Sequence, residues 1–172
     1  MLLTTFDAHP RRVLALVSLV CVGLLAFGLY LQHVVGLEPC PMCIVQRYAL
    51  VLVAIFAATG AMGAVSGKGR GLLFTSVGLA VILAGLGAFT AARQSWLQWY
   101  PSASASCGRD IYGMIETFPL QRAIPMIFRG SGDCSKVDWT FLGGSIANWS
   151  FVWFVAVIVV MLALVVRQLR RR

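Results

Sequence analysis

The sequence predicts an all-α membrane protein, a four-transmembrane-helix bundle with a short interfacial helix in its second outer loop. Three observations lead there. Apolar residues make up 59% of the 172 and charged residues only 12%, too little charge to clothe a water-soluble surface. Four apolar stretches are long enough to cross a hydrocarbon core of about 30 Å, which takes about 20 helical residues. The basic residues that flank these stretches gather on one side of the resulting topology.

Backbone groups in lipid must be satisfied within the segment, so each stretch is expected to be a helix. The first runs near Val13 to Val35, behind Arg11 and Arg12. Its apolar run is too long for a signal-peptide core and no small-residue cleavage site follows, so it reads as a retained helix. The second runs near Ile44 to Val65, after the stretch "GLEPCPMCIVQRY" (Gly36 to Tyr48). The third, near Leu72 to Ala92, carries Ser76, Ala80, Ala84 and Ala88 at four-residue spacing. Such a small-residue stripe lets another helix approach closely, which is how helices associate where water supplies no driving force. The fourth runs near Ile146 to Val166. Short connections make the first three helices antiparallel neighbours, and an up-down-up-down bundle is the simplest result. The whole chain, 1–172, reads as a single integral membrane domain with outer loops at about 36–43 and 93–145.

Orientation follows from charge. Arg11, Arg12, Lys68, Arg70, Arg170, Arg171 and Arg172 share one side. In the long outer segment Arg109, Arg122, Arg129 and Lys136 are matched by Asp110, Glu116, Asp133 and Asp138. The positive-inside rule puts both termini in the cytoplasm. The net charge of +8 is then mostly topology and weak support for nucleic-acid binding. All five tryptophans (Trp96, Trp99, Trp139, Trp149 and Trp153) fall in or beside the long outer loop. An interfacial belt explains that placement, with pocket lining as the alternative. Within the loop Ile111, Met114, Ile115 and Phe118 recur at helical spacing before Pro119. That predicts a short amphipathic helix lying along the membrane surface.

The topology also sorts the five cysteines. Cys21 is mid-membrane and reads as a small hydrophobe. Cys40, Cys43, Cys107 and Cys134 lie on the non-cytoplasmic side, where disulfides persist. Cys40 and Cys43 form a C-x-x-C at the mouth of the second helix. Cys40 suits the N-cap and Pro41 the first helical position. Cys43 then sits in the first turn, where exposed N–H groups and the helix dipole favour a thiolate. Arg47, four residues on, shares its face and adds a permanent positive charge. Cys107 and Cys134 lie far apart in the long loop, in the small, polar settings "SASASCGRD" and "GSGDCSKVD". On spacing alone the four thiols fit a redox system, a four-cysteine zinc site or two structural disulfides. Arg47 alone would fit a snorkelling residue.

"PCPMCIVQR" after the first helix, "WLQWYPSASASC" after the third and "GDCSKVDWTFLGGSIANW" before the fourth resemble the DsbB family, nearly end to end. The resemblance implies a protein-thiol oxidase of the bacterial inner membrane, with both loops periplasmic. It would reoxidise a DsbA-like thioredoxin-fold partner and pass the electrons to a membrane quinone, ubiquinone or menaquinone. It further implies disulfides Cys40–Cys43 and Cys107–Cys134. Cys107 would meet the partner, Cys134 would exchange with Cys40, and Cys43 with Arg47 would stand beside the quinone. Where some members carry a histidine near the quinone, this chain has Gln94, which hydrogen-bonds a carbonyl but gains no proton at neutral pH. Gln94 is therefore the cofactor contact carried over, with Arg93 as its neighbouring alternative and His33 read as interfacial.

Two other functions fit parts of the pattern. A vitamin K epoxide reductase-like enzyme uses similar chemistry, but the early C-x-x-C argues against it. A non-catalytic membrane protein binding metal through thiolates is the alternative from another class. A channel is disfavoured because no ionisable cluster runs along a membrane path.

Overall fold

The computed structural model describes residues 10–64, 70–100 and 136–170. It contains four long helices: α1 (Pro10–His33), α2 (Pro41–Gly63), α3 (Arg70–Trp99) and α4 (Ile146–Arg170). All four are long and apolar enough to cross a membrane. The expected amphipathic piece at Ile111 to Phe118 lies outside the described residues.

Helix ends shift by a few residues from the apolar runs, and two of them bear on the site. α2 starts at Pro41 with Cys40 as its N-cap, as the C-x-x-C reading expects and three residues before the apolar run at Ile44, because proline is welcome at the first position and needs no N–H partner there. α3 does not stop at Ala92. Nothing between Arg93 and Trp99 breaks a helix, and the first breaker is Pro101, so the helix runs two further turns. Gln94 thus belongs to a helix rather than to the outer loop.

Packing proceeds in chain order, α1 on α2, α2 on α3 and α3 on α4. One core joins them. α1 supplies Leu14, Val17 and Cys21, α2 supplies Val53 and Ala57, and α4 supplies Phe154, Val157, Met161 and Leu164. The alternating three- and four-residue steps on α4 describe one seam, as in left-handed bundles. The stripe Ser76, Ala80, Ala84, Ala88 is buried along its whole length. Gly87 receives the ring of Phe154 so closely that a Cβ there would meet ring carbons at 2.5 to 2.7 Å. Two polar links tie the helices as well: Ser18 donates to the Ala54 carbonyl at 3.0 Å, and Thr59 donates to Ser76 at 3.2 Å. In membranes such bonds average about 0.6 kcal/mol each, so close packing contributes more than they do. Leu19, Ile82, Phe89 and Val159 are exposed on the outer faces, as lipid-facing residues should be.

A small antiparallel hairpin, β1 (Thr140–Phe141) with β2 (Gly144–Ser145), leads into α4. Its turn residues Leu142 and Gly143 both have positive φ, 51° and 79°, as a two-residue hairpin turn with right-handed strand twist requires. The hairpin was not foreseen, since two-residue strands leave no alternation to read.

Candidate functional site

The mouth of α2 is built around Cys40. Its backbone is extended (φ −77°, ψ 163°), and its sulfur accepts from the Cys43 N–H at 3.4 Å. The capping geometry puts the two sulfurs 3.2 Å apart. Cys40 is buried and Cys43 half-buried, and both line one cavity.

The extension of α3 brings Gln94 against this pair. Its amide Nε2 lies 3.3 Å from the Cys40 sulfur and 3.2 Å from the Cys43 sulfur. The Gln94 carbonyl oxygen accepts from Gln46 Nε2 at 2.7 Å and, at the longer distance of 3.7 Å, from the Cys43 thiol. Gln94 and Gln46 are each 3% exposed. Arg93 points the other way and is exposed, as is His33 at the end of α1. Arg47, half-buried, donates to the Gly28 carbonyl at 3.0 Å and to Gln32 Oε1. Those two acceptors on α1 hold the guanidinium inside the bundle rather than snorkelled to the surface. Among the described residues no cluster of three or more metal-ligating side chains forms.

These groups share a cavity of about 500 Å³ walled by all four helices and the hairpin, where Cys43, Arg47, Gln46 and Gln94 are joined by polar residues of the outer segments such as Glu38, Lys136 and Asp138. Its remaining walls are largely apolar, including Leu24 and Phe27 of α1 and Val152 of α4. Trp139, Trp149 and Trp153 line it too, which divides the tryptophans. Trp96 and Trp99 stand exposed as a belt would, whereas these three form part of the cavity wall, Trp149 while still partly exposed at the rim. The hairpin closes the rim: Trp149 Nε1 donates to the Phe141 carbonyl at 2.9 Å, and Ser145 donates to Gln98 at 2.6 Å. A pocket of this size with few convergent polar groups suits a flat, mostly apolar small molecule.

A family model described as "Disulfide bond formation protein DsbB" matches residues 10–164. The chain belongs to the DsbB family. Proteins named disulfide bond formation protein B from Polaromonas sp. (strain JS666 / ATCC BAA-500) and Polaromonas naphthalenivorans (strain CJ2) are 73% and 69% identical. Both alignments cover the whole of each chain. One from Aromatoleum aromaticum is 52% identical over 95% of this chain and 97% of its own. DsbB membership makes this a membrane thiol oxidase, a disulfide-generating oxidoreductase, and favours neither the metal-binding nor the vitamin K epoxide reductase-like alternative.

Of the residues singled out in the sequence, Cys40, Cys43, Arg47 and Gln94 come together at one end of one cavity. Cys107 and Cys134 lie outside the described residues. Sequence reasoning missed Gln46, Gln32 and Gly28. A signal existed for the glutamines, since amides in apolar helices face the protein interior, and Gln46 is one turn from Cys43. None existed for Gly28, which acts through its backbone carbonyl.

Proposed function

We propose that this DsbB-family chain takes electrons from a DsbA-like thioredoxin-fold protein and delivers them to a membrane quinone. It would sit in the bacterial inner membrane with both termini cytoplasmic. The observation that carries the reading is the polar end of the cavity, where the Cys40–Cys43 pair, the Gln94 amide and Arg47 face one apolar chamber. A quinone fits those residues: its ring matches apolar and aromatic walls, and its carbonyls need donors, which Arg47 and Gln94 supply. When bound, a quinone supplies a two-electron, two-proton acceptor that enters and leaves through lipid.

The chain's own residues do the rest. The partner's thiolate attacks Cys107, breaking the Cys107–Cys134 disulfide and leaving Cys134 as a thiolate. The partner's second cysteine resolves the mixed disulfide and departs oxidised. Cys134 attacks Cys40, and Cys43 leaves as a thiolate, the better leaving group because N–H donors and a cation surround it. Cys107 then closes back on Cys134 and releases Cys40. Arg47 and the Gln94 amide hold the negative charge at the Cys43 sulfur, facing the chamber, until the pair is reoxidised.

Purified protein, a reduced thioredoxin-fold partner and ubiquinone or menaquinone in separate reactions test this by quinone absorbance. Cys43→Ser and Cys40→Ser should each abolish quinone reduction, and Cys107→Ser should abolish oxidation of the partner. Turnover at the wild-type rate in any of the three would sink the assignment.

A further inference from the structure

We propose that Gln46 is a positioning residue that sets which end of the Gln94 amide faces the redox sulfurs. An amide side chain has a donor end and an acceptor end of nearly equal size, so packing alone does not choose between them. Here a partner chooses. Gln46 Nε2 donates to Gln94 Oε1 at 2.7 Å, the shortest contact the Gln94 amide makes. With its oxygen held by Gln46, Gln94 brings its NH₂ group closer to both sulfurs, at 3.2 Å and 3.3 Å, than its oxygen, which the Cys43 thiol reaches at 3.7 Å.

The orientation has a chemical consequence. A thiolate only accepts hydrogen bonds, so an NH₂ group facing Cys43 stabilises the reduced pair. A carbonyl oxygen turned to the same sulfur would repel it. Both amides are 3% exposed, where water does not compete and a hydrogen bond to an anion keeps most of its strength. Gln46 lies one turn beyond Cys43 on α2, so one helix carries both the sulfur and the clamp for the amide arriving from α3. Neither glutamine titrates, so the donor stays in place whatever the outside pH.

The inference rests on Cys40 and Cys43 being the redox pair, and the test separates the two. Full-length protein is equilibrated with mixtures of reduced and oxidised dithiothreitol, and the Cys40–Cys43 redox state is read by alkylation and mass spectrometry. In the measured reaction dithiothreitol gives up two electrons and two protons as its ring disulfide closes. The Cys40–Cys43 bond breaks, one proton stays on Cys40 and the other passes to solvent, leaving the Cys43 thiolate. Gln46→Met keeps the length of the side chain and removes the donor. It should move the equilibrium about tenfold towards the disulfide, or about 30 mV. In a Gln94→Met background the same change should have no further effect, because Gln46 acts through Gln94. That second comparison removes both amides together and so leaves neither unpaired in the core, which keeps the test readable should Gln46→Met alone fold poorly. A wild-type equilibrium in Gln46→Met would overturn the inference, as would an undiminished shift in the Gln94→Met background. A wild-type pair that never equilibrates with dithiothreitol would overturn the redox assignment as well.

Discussion

Gly87→Ala tests the packing that holds α4 against the site. The added Cβ would lie 2.5, 2.6 and 2.7 Å from three carbons of the Phe154 ring, where carbon pairs prefer about 3.5–4.0 Å. Phe154 is fully buried in the core, so relief requires the ring or α4 to shift by about 1 Å against packed neighbours. Overpacking of this kind costs about 1–3 kcal/mol, and three simultaneous overlaps put it near the upper end. Alanine's better helix propensity returns about 1 kcal/mol, leaving a net loss of about 1–2 kcal/mol. For a chain of this length that lowers the melting midpoint by about 2–8 °C. The assay is heating of detergent-solubilised protein followed by gel filtration of the fraction that stays monodisperse. Phe154→Leu alone should also lower the midpoint, by creating a cavity. In the Gly87→Ala background it should raise it, because the ring is what the new methyl strikes. A Gly87→Ala protein melting with wild type would refute the reasoning, and so would simple addition of the two losses.

Three further outcomes are expected at the site. Arg47→Lys keeps the charge but loses the planar fork that reaches both Gly28 and Gln32. Quinone reduction should fall by about tenfold or more, measured as turnover with saturating partner. Gln94→His replaces a non-titrating amide with a titratable imidazole. The pH profile of its turnover should differ from that of the wild type, gaining on the acid side because the imidazolium donates better to a thiolate. Trp149→Phe removes the bond that holds the hairpin to α4. It should raise the quinone KM several-fold with a smaller change in kcat, since the hairpin bounds the cavity without touching the sulfurs.

The legible part of the site was the part encoded locally. Cys40, Cys43 and Arg47 fall within eight residues, and their capping and i, i+4 relations follow from helix geometry alone. The stripe Ser76 to Ala88 was equally readable, because a four-residue period in a lipid span has few other uses. Gln94 came from family resemblance, and its helical setting was missed because the apolar run ends before the helix does. Hydropathy marks where a helix leaves lipid, whereas backbone hydrogen bonding and the next proline decide where it ends.

The sequence by itself determined four membrane helices and a C-x-x-C with an arginine at the mouth of the second. Those properties belong to single segments and to the solvent each must meet. The tertiary structure decided the rest. Two turns of α3 past the apolar run carry Gln94 to the sulfurs, α1 supplies the acceptors that hold Arg47, and α4 with its hairpin walls the chamber. Each of these depends on which helices lie side by side. Distances between segments remote in sequence are fixed by packing, and no local period records them.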